Sequence, residues 1–298
     1  MTAAPKLSER HTGSAVLPFI VLGDARTGSN MLVDALNSHP RIVCFREVMN
    51  FVQEFVDYGV AGYDQQDRAD FALRKDDPAR FLRERIFGGH AAETAAAGFK
   101  LHYYHIWGFD PQYEGLFERV LEPLVGDNEL RVVHLQRRNQ LRSLVSLRLA
   151  QATGVWIEGQ PGGQRAPLAR SATQRLLDRV RGAASASGKR PLASPTSIAI
   201  TPEDCLSHFE RLASEITRFD GLFAGHEMLT VFYEDLVASQ RSLDDVQRFL
   251  GVPPRPLTVA LRRQNPHPLP ELIANFDELR AAFANSPQRA FFEDGKAG

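Results

Sequence analysis

At 298 residues with 43% hydrophobic side chains, the chain is long enough for one large α/β domain or two smaller ones with a substantial core. Its 35 Lys+Arg stand against 36 Asp+Glu, so no global basic field exists to favour bulk nucleic-acid binding. Two cysteines, Cys44 and Cys205, neither in a Cys-x-x-Cys nor near a histidine pair, give no disulfide framework and no zinc site; a reducing, cytoplasmic setting fits them.

Residues 1–16 are polar and read as a loose tail, and no apolar run approaches the length of a membrane span. Residues 17–38, LPFIVLGDARTGSNMLVDALNS, open with an apolar run from Leu17 to Leu22 that ends at Gly23. A short loop holds Arg26, Thr27, Gly28 and Ser29, after which Met31, Leu32, Ala35 and Leu36 recur at helical spacing. The pattern is a core strand, a glycine-bearing turn and a helix. Such a turn aims the first free N–H groups of the helix, and the positive end of its dipole, at one point, and the expected guest is a phosphate. Gly23 and Gly28 keep the glycine spacing of a Walker A loop, but Ser29 and Asn30 stand where its lysine and its magnesium-binding hydroxyl belong. The cation inside the loop is Arg26, which suggests a phosphate-bearing donor other than Mg–ATP. The plain alternative is an αβ turn with a surface arginine.

Pro40 stops the first helix, Ile42 to Phe45 form a short strand, and Glu47 lies just past its end, where ligands bind in an open parallel sheet. Pairing of Glu47 with Arg46 or Arg41 is the structural alternative. Residues 51–90 read as helical with a mixed-charge face. GFKLHYYHIW, residues 98–107, reads as a strand on which Lys100, His102 and Tyr104 share one side; a histidine near its end, His102 ahead of His105, is a candidate general base. Leu130 to Leu135 form a buried-type strand, Arg137, Arg138 and Asn139 sit at its end, and Leu141, Leu144, Val145 and Leu149 mark a helix. Arg138 and Ser146 can pinch a second anion between a guanidinium fork and a hydroxyl, with Arg142 one turn before Ser146. Residues 157–200 shift to Gly, Pro, Ser and Ala, and up to Thr196 hold seven Lys/Arg against two acids, a composition that suits either a mobile lid or a surface insertion, with a short helix near Ala172–Val180. A helix then runs from Thr201, its N-cap, to about Phe223; Met228 to Phe232 form another core strand with Tyr233 at its end; and helices near Leu243–Leu250 and Phe276–Ala284 complete the domain.

Two phosphate sites at neighbouring strand ends suit a nucleotide phosphorylated on both its 5′ and 3′ sides. ARTGSNML, residues 25–32, resembles the 5′-phosphosulfate loop of the sulfotransferases, in which a Lys or Arg precedes Ser/Thr-Gly-Ser/Thr-Ser/Thr. RNQLRSLVS, residues 138–146, resembles their 3′-phosphate motif, an Arg and a Ser eight positions apart. Lys100 to His102 is similar to the family's Lys-Thr-His, Phe232 to Leu236 to its Phe-Tyr-Glu-Asp-Leu/Met, and FLGVP follows at 249–253, so the matches span most of the chain in the family's order. SLVSLRLAQATGVW resembles bacterial carbohydrate sulfotransferases of the trehalose 2-sulfotransferase type. Asn30 departs from the usual Thr and Arg142 from an Asp common in the cytosolic animal enzymes; the late Arg-Lys-Gly loop is not visible, and ALRRQNPHP, through Arg263, is the candidate for its basic contact.

The resemblance implies a P-loop NTPase-like sulfotransferase fold: a single α/β domain over residues 1–298, with a central, mostly parallel sheet flanked by helices. It implies transfer of a sulfuryl group from 3′-phosphoadenosine 5′-phosphosulfate, PAPS, to an acceptor hydroxyl, leaving adenosine 3′,5′-bisphosphate, PAP, without a metal. The acceptor would be a carbohydrate, a glycolipid or another small metabolite; no nucleic acid is implied, and oligomeric state, a homodimer included, stays open. Arg26 would stabilise the bridging oxygen, the N–H groups of Thr27, Gly28, Ser29 and Asn30 would hold the 5′-phosphate, and Arg138 and Ser146 the 3′-phosphate. Tyr233 would stack on the adenine, and either Glu47 or His102 would be the base. The alternatives are a P-loop-related small-molecule kinase and a non-catalytic nucleotide- or glycan-binding protein.

Overall fold

The computed structural model describes residues 16–51, 53–105, 115–153, 197–258 and 267–293. Five parallel strands, β1 (Leu17–Gly23), β2 (Ile42–Phe45), β3 (Ala96–His102), β4 (Arg131–Gln136) and β5 (Met228–Phe232), form one sheet in the order β2-β3-β1-β4-β5. Helices cover both faces, as the sequence implies. Central β1 is apolar on both faces because both are covered: Phe19 and Val21 pack on one core with Leu32, Val33 and Leu36 of α1 (Ser29–Asn37), while Ile20 and Leu22 pack on the other with Phe45, Phe99, Phe219 and Phe223. The register sets Gly23 opposite His102 on one side and Leu135 on the other, so the carboxyl ends of three strands finish at one level. Arg46, just past β2, extends this edge by accepting from Lys100 N at 3.2 Å.

Two sequence expectations need correction. The strand expected over 98–107 is β3, which begins at Ala96 and ends at His102; a 3-10 turn, Tyr103–His105, follows, so Tyr104 does not share the strand side of Lys100 and His102. The turn forms because Tyr103 is drawn into the core, where its ring stacks on Phe219 at 4.7 Å. The helix expected over 51–90 is confined to α2 (Arg68–Asp76), α3 (Pro78–Phe81) and a π turn over Leu82–Ile86. Asp67 caps α2 by accepting from Ala69 N and Asp70 N, and Asp77 with Pro78 restarts the chain as α3. Gly59 and Gly62, both at positive φ, mark the irregular stretch before them.

The remaining helices are α4 (Leu116–Gly126), α5 (Gln140–Thr153), α6 (Pro202–Leu222), α7 (Tyr233–Ala238), α8 (Gln240–Phe249), α9 (Leu269–Leu272) and α10 (Phe276–Ala282). Thr201 and Asp204 cap α6 reciprocally, with Thr201 Oγ1 accepting from Asp204 N at 3.1 Å and Asp204 Oδ2 accepting from Thr201 N at 3.4 Å. The chain divides into two compact units, one built from 1–140 and 207–261 and carrying the whole sheet, the other from 141–206 and 262–297. In the second, Ile198 pairs in parallel with Ile273, Asn275 brackets Ile200 with two hydrogen bonds, and Phe276, Phe283 and Phe292 cluster. Most of the stretch expected as a lid or insertion, its short helix included, lies outside the described residues, as does Arg263. Among the described residues no helix is long and apolar enough to cross a membrane.

Candidate active site

The turn between β1 and α1 is held open by its neighbours. Arg26 (φ 66°) is the only non-glycine residue at positive φ among those described, and Gly28 (φ 87°) is the N-cap of α1 in the left-handed conformation. A Cβ on Gly28 would lie 2.3 Å from Cδ2 of Tyr233, so the glycine is required by space as well as by φ. Thr27 Oγ1 donates to Asp24 O at 2.8 Å, and the buried Asp24 carboxylate is held by Arg211 of α6 at 2.6 Å. Arg137 donates to Arg26 O at 3.0 Å, and its guanidinium lies over the Tyr233 ring at 4.8 Å. No side chain caps the N-terminus of α1 and no acid lies in its first turn. Its leading N–H groups, on Ser29 and Asn30, and its dipole are therefore available to an anion such as a phosphate.

Beyond β2 and β3 the structure gathers both candidate bases into one polar cluster. Glu47 Oε1 lies 2.8 Å from Nζ of Lys100 and 3.5 Å from Nε2 of His102. Glu47 Oε2 accepts from Asn50 Nδ2 at 3.0 Å and from the Tyr104 hydroxyl at 3.3 Å. His105 Nε2 lies 3.4 Å from the same oxygen, out of line for a hydrogen bond and without another partner. Burial alone would raise the Glu47 carboxyl, but the Lys100 ammonium and the neighbouring imidazoles of His102 and His105 outweigh it and hold Glu47 well below the usual carboxylate range. Lys100, 2% exposed, also donates to Asn30 Oδ1, so the residue that departs from the family's threonine ties α1 to the carboxylate cluster. His102 Nδ1 lies 3.1 Å from the Gly23 carbonyl, which can only accept; Nδ1 therefore carries a proton and Nε2 is the nitrogen turned toward Glu47. Arg26 is near enough to feel this charge: burial lowers its pKa while Glu47 and Tyr104 raise it.

The candidates for the second anion are placed less completely. Arg138 forms a two-pronged pair with Asp235, at 2.6 and 2.7 Å, and lies over the Phe232 ring at 4.1 Å. Glu234 accepts from the backbone N–H of Arg138 and of Asn139 at 3.0 and 3.1 Å. The Phe-Tyr-Glu-Asp run is thus the clamp that holds the end of β4, a role the sequence reading did not assign to it. Ser146 is buried on α5 in the second unit, where Arg142 donates to His267 O at 3.3 Å.

Sequence reading missed several partners. Asp57, set in a stretch read as a solvated helix, accepts from the Glu47 backbone N–H, and burial raises its carboxyl. Arg74, read as part of the same charged face, is fully buried and donates to the carbonyls of Val48, Asn50, Gln53 and Phe55, fixing the segment after Glu47. No local pattern signals the pairing of Asp24 with Arg211, which joins distant parts of the chain.

No known family profile matches this sequence. Curated relatives are found: the chain is 26% identical over 282 residues to nodulation protein H of Rhizobium tropici, covering 93% of each, and 25% identical over 280 residues to nodulation protein H of Rhizobium meliloti strain 1021, covering 93% of this chain and 95% of that one. Among solved structures, a crystal structure of a sulfotransferase from Alicyclobacillus acidocaldarius is similar over 95% of both chains, with 17% identity and a TM-score of 0.45.

Proposed function

We infer that the chain is a PAPS-dependent sulfotransferase acting on a hydroxyl of a carbohydrate or carbohydrate-like metabolite. Similarity to nodulation protein H along nearly all of its length and the ordered family motifs support the reading. The observation that carries it is a juxtaposition: a phosphate cradle whose Arg26 guanidinium lies within electrostatic reach of a half-buried, ionised carboxylate, Glu47, beyond the neighbouring strands.

The reaction forms a bond from the acceptor oxygen to sulfur, breaks the bond from sulfur to the bridging phosphate oxygen, and leaves the electron pair on PAP. As in phosphoryl transfer, the protein supplies position and charge. The N–H groups of Thr27 to Asn30 hold the 5′-phosphate, and Arg26 offsets the charge that builds on the bridging oxygen. Glu47 takes the hydroxyl proton, with Lys100, Asn50 and Tyr104 fixing the carboxylate in place. His102 donates Nδ1–H to Gly23 O and stands with Nε2 3.5 Å from the same carboxylate, which Nε2 can bond only when it too carries a proton. The family motif assigns the 3′-phosphate to Arg138 and Ser146 and the adenine to Tyr233. Placement in the cytoplasm is part of the same reading and suits the two buried free cysteines.

Thermal shift with PAP, adenosine 5′-phosphosulfate and ATP, each with and without magnesium, tests the donor. PAP is expected to raise Tm by an amount that magnesium does not change and that grows with PAP concentration; a rise only with ATP and magnesium would overturn the reading in favour of a kinase.

The base is tested by rate and pH. Glu47→Gln is expected to lower kcat roughly 100-fold to 10,000-fold. In the wild type the acid limb of kcat/KM is expected below the ordinary carboxylate value, because Glu47 is held ionised there. A limb near neutrality, typical of an imidazole base, together with an intact rate in Glu47→Gln, would move the role to His102.

A further inference from the structure

Beneath the turn that carries Tyr104 and His105 runs a chain of three polar side chains from three elements, buried at two of them. The Tyr103 hydroxyl lies 2.6 Å from Nε2 of His134 on β4, and Nδ1 of His134 lies 2.9 Å from Oδ1 of Asp220 on α6. His134 is fully buried and Tyr103 is 1% exposed, whereas the Asp220 side chain reaches solvent. A carboxylate only accepts, so Nδ1 of His134 carries the ring proton; Nε2 is then an acceptor, and the tyrosine donates to it. Burial, opposed by Asp220, lowers the His134 pKa and keeps the ring in this neutral form. The Gln136 amide nitrogen also approaches Nδ1, at 3.5 Å, but the carboxylate at 2.9 Å is the nearer partner and sets the tautomer, so the chain runs from Tyr103 through His134 to Asp220.

Its position gives it consequence. Tyr103 is the first residue after β3, and its neighbours on either side, His102 and Tyr104, both reach Glu47. His105, at the far end of the same short turn, receives the His102 N–H on Nδ1 at 3.3 Å and points Nε2 at Glu47. A 3-10 turn of three residues has little internal support, so the side chain anchored in the core decides how the other two are aimed. Apolar groups of similar volume would fill this space without a directional constraint; a satisfied polar chain adds the direction. α6 contributes twice, since Arg211, two and a half turns before Asp220, holds Asp24 of the phosphate turn.

We propose that His134 is a positioning residue for the Glu47 cluster, acting through Tyr103 and oriented by Asp220, so that the Asp220–His134–Tyr103 chain sets the aim of Tyr104 and His105 at the carboxylate. Its effect on turnover rests on the sulfotransferase reading; its effect on the turn does not.

Tyr103→Phe removes only the hydroxyl and keeps the ring on Phe219. Asp220→Asn offers an amide that donates to Nδ1 and drives His134 into the other tautomer, and Asp220→Glu restores a carboxylate. The first readout is the nitrogen and ring-proton spectrum of the histidines in the free, full-length protein. Wild-type His134 is expected in the Nδ1–H form and Asp220→Asn in the Nε2–H form. His105 faces Glu47, His102 and Lys100 and is held by burial to a pKa of about 4. In Tyr103→Phe its ring is expected to titrate at higher pH as the turn loosens and water enters. The second readout is kinetic: kcat falls by up to about 100-fold in Tyr103→Phe and Asp220→Asn, with the PAP dissociation constant unchanged, and Asp220→Glu recovers most of it. In a Glu47→Gln background the same changes add little further loss, because the group they aim at is gone. Unchanged His105 titration in both variants overturns the proposal, and so does an equal kcat loss with and without Glu47. A wild type that neither binds PAP nor turns over sinks the sulfotransferase reading instead, while the spectra still decide whether the chain aims the turn.

Discussion

Gly28 shows what a single missing Cβ does at this site. Its φ of 87° costs an L-residue about 1 kcal/mol, and the added carbon would also sit 2.3 Å from the Tyr233 ring, on which Arg137 is stacked. Gly62 has nearly the same φ, 89°, with nothing within 4 Å of the position a Cβ would take. Gly62→Ala therefore isolates the backbone term. Gly28→Ala carries that term and the clash, and because Tyr233 and Arg137 hold the turn it also disorders the cradle. In urea unfolding we expect Gly62→Ala to lose about 1 kcal/mol with PAP affinity intact, and Gly28→Ala to lose about 2–4 kcal/mol with PAP affinity reduced at least tenfold. Equal losses in the two variants would mean that Tyr233 does not shape the turn. The spacing of Gly23 and Gly28 was legible in the sequence because it is local. The reason that Gly28 admits no side chain was not, since Tyr233 arrives from the far end of β5.

At the scale of elements, periodicity named every strand of the sheet, and the ends of strands and helices proved harder. β1, β2, β4 and β5 fall within a residue or two of where alternation and apolar runs place them, and the local pair of Thr201 and Asp204 marks the start of α6. Past His102, Tyr103, Tyr104 and His105 continue a strand-like composition, while their conformation is decided by His134 and Phe219, which composition cannot reveal. The same holds for 51–67. The mixed charge of 51–90 suggests a solvated helix throughout, yet Arg74 donates to the carbonyls of Val48, Asn50, Gln53 and Phe55 and keeps that backbone irregular by satisfying it. Glu47 is legible as a candidate because a residue just past a parallel strand faces the ligand edge. Its retinue of Lys100, Asn50, Tyr104 and His105 could be guessed only in part, since each arrives through the sheet order β2-β3-β1 or through the 3-10 turn.

For the molecule as a whole, balanced charge means that pH acts through a few buried groups and not through a net field. His105 and His134 are buried neutral, and His90 is also lowered by burial, with the Ile86 carbonyl opposing. For each the folded pKa lies below the unfolded one, so between those two values the unfolded chain binds more protons. Their contribution is thus neutral above about pH 6.5 and becomes destabilising as pH falls from there toward the folded values. For His105, whose folded pKa is about 4, the shift corresponds to on the order of 3 kcal/mol at full extent. Glu47 has the opposite sign: its depressed carboxyl contributes stability above its ordinary value and loses it only as pH falls further, through the folded pKa. Stability should therefore decline in two stages, histidines first and the carboxylate second. Urea midpoints followed by far-UV circular dichroism are expected to be flat from pH 8 to 7, to fall steadily from pH 6.5 to 4.5, and to fall more steeply below. His105→Gln, which cannot take up a proton, should flatten the first stage while leaving the second. A midpoint that holds constant from pH 7 to 5 in the wild type would mean that these imidazoles reach water.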